Sequence, residues 1–123
     1  MATTFDKLTE RYMATWNETD PAQRRRDIDD LWAPDGRYVD PMVVAEGRDA
    51  IDATIAAVQS QFPGMTFRLV GPVDSHHNQT RFTWELGPDN GEAPIAGFDV
   101  AVTDDDGRLT QVLGFLDRVP TTS

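Results

Sequence analysis

The chain has no cysteine among its 123 residues. That excludes disulfides, thiolate nucleophiles and cysteine-based metal sites together, and with them a secreted disulfide scaffold. Positive charge is scarce as well. Eleven basic against 21 acidic side chains leave a formal charge of -10, so nucleic acid and anionic membrane surfaces are not expected as partners. The one basic cluster, Arg24-Arg25-Arg26, is flanked by Asp20, Asp27, Asp29 and Asp30 and reads as a solvated helix face with intrahelical ion pairs. No apolar run approaches membrane-spanning length and no basic leader precedes an apolar core, so a cytoplasmic protein is the expectation. A glycine-rich phosphate loop and a Gly-x-Ser-x-Gly elbow are both missing, which leaves nucleotide and serine-hydrolase readings without support. The only two histidines, His76 and His77, are adjacent. Neighbouring strand residues point to opposite faces and no third ligand stands at metal spacing, so no metal site is expected.

The length fits a single domain over residues 1–123, large enough for one core with a modest cavity. Phe5, Leu8, Tyr12 and Trp16 recur at helical spacing with Met13 beside them, predicting an amphipathic helix that ends near Asn17. Asp20-Pro21 starts a second helix with an apolar edge of Ile28, Leu31 and Trp32, and Pro34-Asp-Gly36 stops it. Arg37 to Asp40 reads as a short strand ended by Pro41. A loop through Gly47 then leads to a third helix with Ile51, Ile55, Val58 and Phe62 buried, terminated by Pro63-Gly64. From Met65 the period becomes alternating. Strands are expected over Met65 to Val73, His77 to Leu86, Ala93 to Thr103 and Leu109 to Val119. The turn-rich stretches Gly87-Pro-Asp-Asn-Gly91 and Asp104-Asp-Asp-Gly107 make the last strands an antiparallel meander, and Pro120-Thr-Thr-Ser123 reads as a tail. Helices first and strands later is the order of an α+β domain whose helices cover one face of a bent antiparallel sheet.

Two aspartates stand inside apolar runs: Asp40 in Tyr38-Val-Asp-Pro-Met-Val-Val44 and Asp99 in Ile95-Ala-Gly-Phe-Asp-Val-Ala-Val102. A buried carboxyl must be hydrogen-bonded, ion-paired or neutralised by a raised pKa, and groups so perturbed concentrate at functional sites. Alternation puts Ile95, Gly97, Asp99 and Ala101 on one face of the fourth strand, where the small neighbours leave volume beside the carboxyl. Phe82, Trp84 and Leu86 form the apolar face of the third strand, and Leu113, Phe115 and Asp117 align on the fifth. Aromatic walls around small residues and a few polar groups describe a ligand pocket. Its candidate binding residues are Trp16, Trp32, Tyr38, Met42 and His76, together with Phe82, Trp84, Phe115 and Asp117. Structural roles stay open beside this reading. Tyr12 suits a core aromatic, Asp40 suits the cap of the Pro41 turn, and Asp99 suits a buried ion pair with Arg81 or Arg118.

The segment Glu10-Arg-Tyr-Met-Ala-Thr-Trp-Asn-Glu-Thr-Asp20, the Tyr38-Val-Asp-Pro41 turn, the helix start Gly47-Arg-Asp-Ala-Ile51 and the ending Asp106-Gly-Arg-Leu-Thr-Gln-Val-Leu-Gly-Phe115 resemble the nuclear transport factor 2-like superfamily, in particular its SnoaL-like branch. The resemblance implies a cone-shaped α+β domain, a curved and mainly antiparallel sheet wrapped around three N-terminal helices and a deep pocket, often as a homodimer through the outer face of the sheet. Ketosteroid isomerases of this superfamily use a tyrosine on the first helix and a protonated aspartate on a late strand as oxyanion donors, and an aspartate before a proline moves the proton. By position, Tyr12 and Asp99 resemble the donors and Asp40 the base. This implies acid–base chemistry without a cofactor on a small hydrophobic carbonyl compound. A polyketide cyclase using Asp99 with Trp16, Trp84 and Phe115, and a non-catalytic binding domain for an apolar metabolite, are the alternatives. Relatives that hydrolyse epoxides set an arginine between two aspartates. Arg81 and Asp117 resemble part of that set, but Thr83 stands where the other aspartate is expected. In dehydratase relatives a histidine works with the late aspartate, a role open to His76.

Overall fold

The computed structural model describes the backbone of residues 4–120 and the side chains of residues 7–120; the side chain of Phe5 and the end of the expected tail, residues 121–123, lie outside the described residues. Three helices form, α1 (Thr4–Asn17), α2 (Pro21–Leu31) and α3 (Arg48–Gln61), with α1 and α3 ending where periodicity and stop signals set them. Asp20 caps α2 by accepting the Gln23 N–H at 2.9 Å, with Pro21 in the first helical position where its missing N–H does no harm. Gly47 precedes α3 at φ 88, a left-handed conformation natural to glycine.

Six strands, β1 (Trp32–Val39), β2 (Val44–Glu46), β3 (Met65–His76), β4 (Gln79–Pro88), β5 (Ile95–Thr103) and β6 (Leu109–Arg118), make one sheet in the order β2-β1-β6-β5-β4-β3. β3 to β6 are the expected antiparallel meander; β1 enters parallel to β6, and β2 pairs antiparallel to β1 at one edge. The architecture is α+β, with an unclosed mixed sheet wrapped around the helices. Tyr12 and Trp16 of α1, Ile28 and Leu31 of α2 and Ile51 and Ile55 of α3 share one core with Phe82, Trp84 and Val112 of the sheet.

Three local expectations are corrected. Trp32 is not on the edge of α2 but opens β1, so Pro34-Asp-Gly36 lies inside a strand rather than ending the helix. The strand is irregular there: pairing with β6 jumps between Trp32 and Arg37, which is where a residue without an N–H can sit in a sheet. Gly36 is required because a Cβ there would meet the buried Trp32 ring at 2.5 Å. The loop after Pro41 contains β2, whose three residues are too few for alternation to signal. β4 begins at Gln79 because His77 and Asn78 form the two-residue turn, His77 at φ 53.

Candidate functional site

Strand pairing arranges the inner face of the sheet in rows. Phe82 of β4 opposes Asp99 of β5, and Asp99 opposes Gly114 of β6. Val39 of β1 pairs with Leu113, so Asp40, one residue on, comes beside Gly114. The two aspartates therefore sit on the same row with one glycine between them. A Cβ on Gly114 would lie 2.9 Å from Asp99 Oδ1 and 3.5 Å from Asp40 Cβ, so only glycine leaves the carboxyls their space. The adjacent row carries Trp84 opposite Gly97, and Gly97 opposite Leu116.

Above these rows lies a cavity of about 550 Å³. Tyr12, Met13 and Trp16 of α1 and Ala53, Thr54, Ala57 and Val58 of α3 form one wall; Trp84, Leu86, Ile95, Asp99 and Leu116 form the sheet side; Tyr38, Asp40, Met42 and Val43 close the β1 end. Trp16 packs against Tyr38 and Phe67 at ring distances of 5.4 and 5.2 Å, and Phe67 against Trp84 at 5.3 Å. No lysine, arginine or histidine lines the cavity among the described residues.

The polar groups of this apolar space are held in two ways. Asp40 accepts three hydrogen bonds: Oδ1 those of the Met42 and Val43 amides at 2.8 and 3.0 Å, and Oδ2 that of the Tyr38 hydroxyl at 2.7 Å. It caps its own turn and lines the cavity as well. By contrast Tyr12 Oη, Trp84 Nε1 and Asp99 Oδ1 are buried without a hydrogen-bond partner; Thr80 Oγ1 is a further such atom, in the row of Ala101 deeper in the core. Burial pushes the Asp99 carboxyl up to about 7; the Trp84 and Tyr12 donors facing it pull the other way, and the Asp40 charge adds to the rise. Burial also holds the Tyr12 and Tyr38 hydroxyls well above the usual tyrosine range, with the Asp99 charge adding to it. Both phenols therefore stay protonated and able to donate.

The structure brings together Tyr12, Asp40 and Asp99 with Trp16, Tyr38, Met42 and Trp84 around the cavity. Five expected pocket residues fall elsewhere. Trp32 and Phe82 are core residues, 1% and 2% exposed, packed behind the cavity wall. His76 is exposed near the β3–β4 turn, with Gln79 Nε2 at 3.2 Å, and so does not work with Asp99. Phe115 and Asp117 point outward, because Gly114 and Leu116 supply the inner face of β6. The strand was read in the opposite phase since its inward position beside Asp99 has no side chain to signal it. Neither arginine reaches Asp99: Arg81 pairs with Asp74 at 3.1 Å and Arg118 with Glu85 at 3.0 Å, both in solvent. The buried ion pair is thereby excluded, and so is the arginine-centred arrangement of the epoxide-hydrolysing relatives. Sequence reasoning missed Gly114 and the α3 wall, where Ala53 and Ala57 at helical spacing were the available signal.

The SnoaL-like domain profile matches residues 9–112, and the chain belongs to the SnoaL-like family. A crystal structure from Agrobacterium tumefaciens, named as a candidate isomerase of that family, is 40% identical, covers 94% of this chain and 99% of its own, and superposes with a TM-score of 0.90. A candidate polyketide cyclase from Sinorhizobium meliloti is 12% identical over 92% of this chain and 99% of its own, with a TM-score of 0.71. A SnoaL-like protein of unknown function from Burkholderia thailandensis is 14% identical over 94% and 98%, with a TM-score of 0.72. The last two establish likeness of fold. A comparison with curated proteins finds no match.

Proposed function

We propose that the protein catalyses cofactor-independent proton transfer on a small hydrophobic carbonyl compound through an enolate. The observation that carries this reading is the set of unpartnered buried donors on Tyr12 and Trp84 around a carboxyl raised to about 7, beneath an apolar cavity. Leaving such groups unpaired costs about 1–3 kcal/mol each, a cost that a ligand oxygen would relieve. In the proposed step the Asp40 carboxylate takes a proton from the carbon beside the carbonyl. The C–H electron pair moves into the enolate, and its oxygen accepts hydrogen bonds from Tyr12 and from protonated Asp99. Returning the proton to a different carbon completes an isomerisation. The lining has no lysine, arginine or histidine among the described residues, which favours a neutral ligand.

A polyketide-cyclase reading draws on one specific observation: Asp40 already accepts three hydrogen bonds, which leave it about one free acceptor position, whereas Asp99 is the less engaged acid–base group. Binding of phenols of graded acidity to wild type, Asp40→Asn and Asp99→Asn, read by phenolate absorbance, tests both readings. Tight binding of the anion that Asp99→Asn abolishes and Asp40→Asn preserves supports an oxyanion site. Binding of phenols only as neutral bodies favours an apolar-metabolite binding domain instead. Turnover that survives Asp40→Asn selects the cyclase-like reading. Homodimerisation belongs to the same proposal: Phe115 is 58% exposed on the outer face and pairs with half-buried Phe98. Phe115→Glu is expected to yield monomer in sedimentation.

A further inference from the structure

The face that α3 turns to the cavity carries Ala53, Thr54, Ala57, Val58 and Gln61, which i+3 and i+4 spacing brings together. Only two of these are polar, and they differ. Gln61 is exposed, so water serves its amide. Thr54 is half-buried, and its neighbours on that face, Ala53 and Ala57, carry only short methyl groups. Its Oγ1 donates to the Ala50 carbonyl at 2.8 Å. A carbonyl oxygen cannot donate, so the direction of that bond is fixed and the single hydroxyl proton is committed to the helix. What remains on Oγ1 is acceptor capacity and no proton, and no other hydrogen bond is made to it among the described residues.

Hydrogen-bonding sense divides the cavity. Tyr12 and Trp84 present unpaired donors, and Asp40 already accepts three hydrogen bonds. We propose that Thr54 Oγ1 is an acceptor-only subsite, so that the ligand carries a hydroxyl or N–H in addition to the carbonyl taken up by the donors. This rests on the carbonyl reading of the site. A ligand donor that reaches Oγ1 adds a hydrogen bond while the Ala50 bond is kept. A ligand acceptor adds one only if the proton leaves Ala50, and an apolar group leaves Oγ1 dry. Sites that hydrogen-bond a substrate group reject the analogue lacking it. Thr54 is thereby a specificity-determining residue, and the substrate class is a hydroxy- or amino-substituted apolar carbonyl compound.

The probes are 2,6- and 2,7-dihydroxynaphthalene, each set against its own monomethyl ether and titrated at mildly acidic pH, where all four compounds are neutral. Quenching of tryptophan emission reads binding, since Trp16 and Trp84 line the cavity. At least one diol is expected to bind wild type about fivefold more tightly than its ether. Thr54→Val, similar in shape, is expected to erase that ratio and Thr54→Ser to keep it; Thr54→Ala stands in if Thr54→Val does not fold. A ratio of one for both isomers in wild type overturns the proposal, as does binding by none of the probes. So does a ratio that persists in Thr54→Val, which would mark the methyl group as merely too large. A ratio lost in Asp40→Asn and kept in Thr54→Val would assign the acceptor to Asp40 and also overturn it. Neutral probes keep the outcome separate from the enolate step. Diol preference without phenolate binding removes the enolate reading and leaves the Thr54 subsite; phenolate binding without diol preference does the reverse.

Discussion

Arg24 and Asp99 are both ionisable side chains withdrawn from solvent, 5% and 3% exposed, and the molecule treats them in opposite ways. Arg24 makes three hydrogen bonds between the helices. Its Nε donates to Asp52 at 2.8 Å, and Nη1 donates to the Glu18 carbonyl and to Gln59 at 3.1 and 3.0 Å. Gln59 in turn donates to the carbonyls of Trp16 and Glu18. That network joins the end of α1 to α2 and α3. At the cavity floor no cation lies beside Asp99 among the described residues, and the Tyr12 and Trp84 donors near it are unpaired. A buried polar group that is satisfied holds the fold together; one left unsatisfied against a cavity costs stability and is available to a ligand.

The largest test of this contrast is Asp99→Asn followed by urea unfolding across pH. Because the folded carboxyl is raised from 3.8 to about 7, the folded state holds the proton more tightly than the unfolded chain between those values. Stability contributed by neutral Asp99 is therefore present at low pH and lost as pH rises from about 4 to about 7, by up to about 4 kcal/mol. Asp99→Asn is expected to remove that slope, and identical pH slopes in the two proteins would break the contrast. Arg24→Ala is expected to cost about 3 kcal/mol by stranding Asp52 and Gln59, with phenol affinity unchanged. A matching loss of affinity would show that the helix network and the site are one system. Gly114→Ala drives a Cβ toward Asp99 Oδ1 and is expected to cost about 2 kcal/mol and about tenfold in phenolate affinity; calorimetry reads both. The smallest effect has the opposite sign for stability. Tyr12→Phe removes an unpaired hydroxyl and is expected to stabilise the fold by about 1 kcal/mol while weakening phenolate binding, and a simple loss of stability would assign Tyr12 to the core.

Much of this contrast was legible before folding. Asp40 and Asp99 were marked by apolar neighbours, and the period of two grouped Trp84 with Leu86 on one face of β4 and Ile95 with Asp99 on one face of β5; register then turned both faces to the cavity. Trp32 was misplaced because an apolar residue at a helix end also suits the first position of a strand, and local propensity does not separate the two. Phe115 and Asp117 were misplaced because β6 carries apolar residues in both phases: Leu113 and Phe115 in one, Val112 and Leu116 in the other. The glycine that decides between them contributes only the absence of a side chain.

What the sequence determined by itself is whatever depends on neighbours along the chain: the helices and their caps, the meander, the acidic charge, and the presence of carboxyls in apolar surroundings. The tertiary structure alone decided what depends on register. It set Asp40 and Asp99 on one row about Gly114, laid Trp84 over Gly97, turned Arg81 and Arg118 away, and made α3 the opposite wall. The physical reason is that a shift of one residue between paired strands exchanges the faces of every side chain. Such a shift is settled by the packing of the whole sheet against the helices.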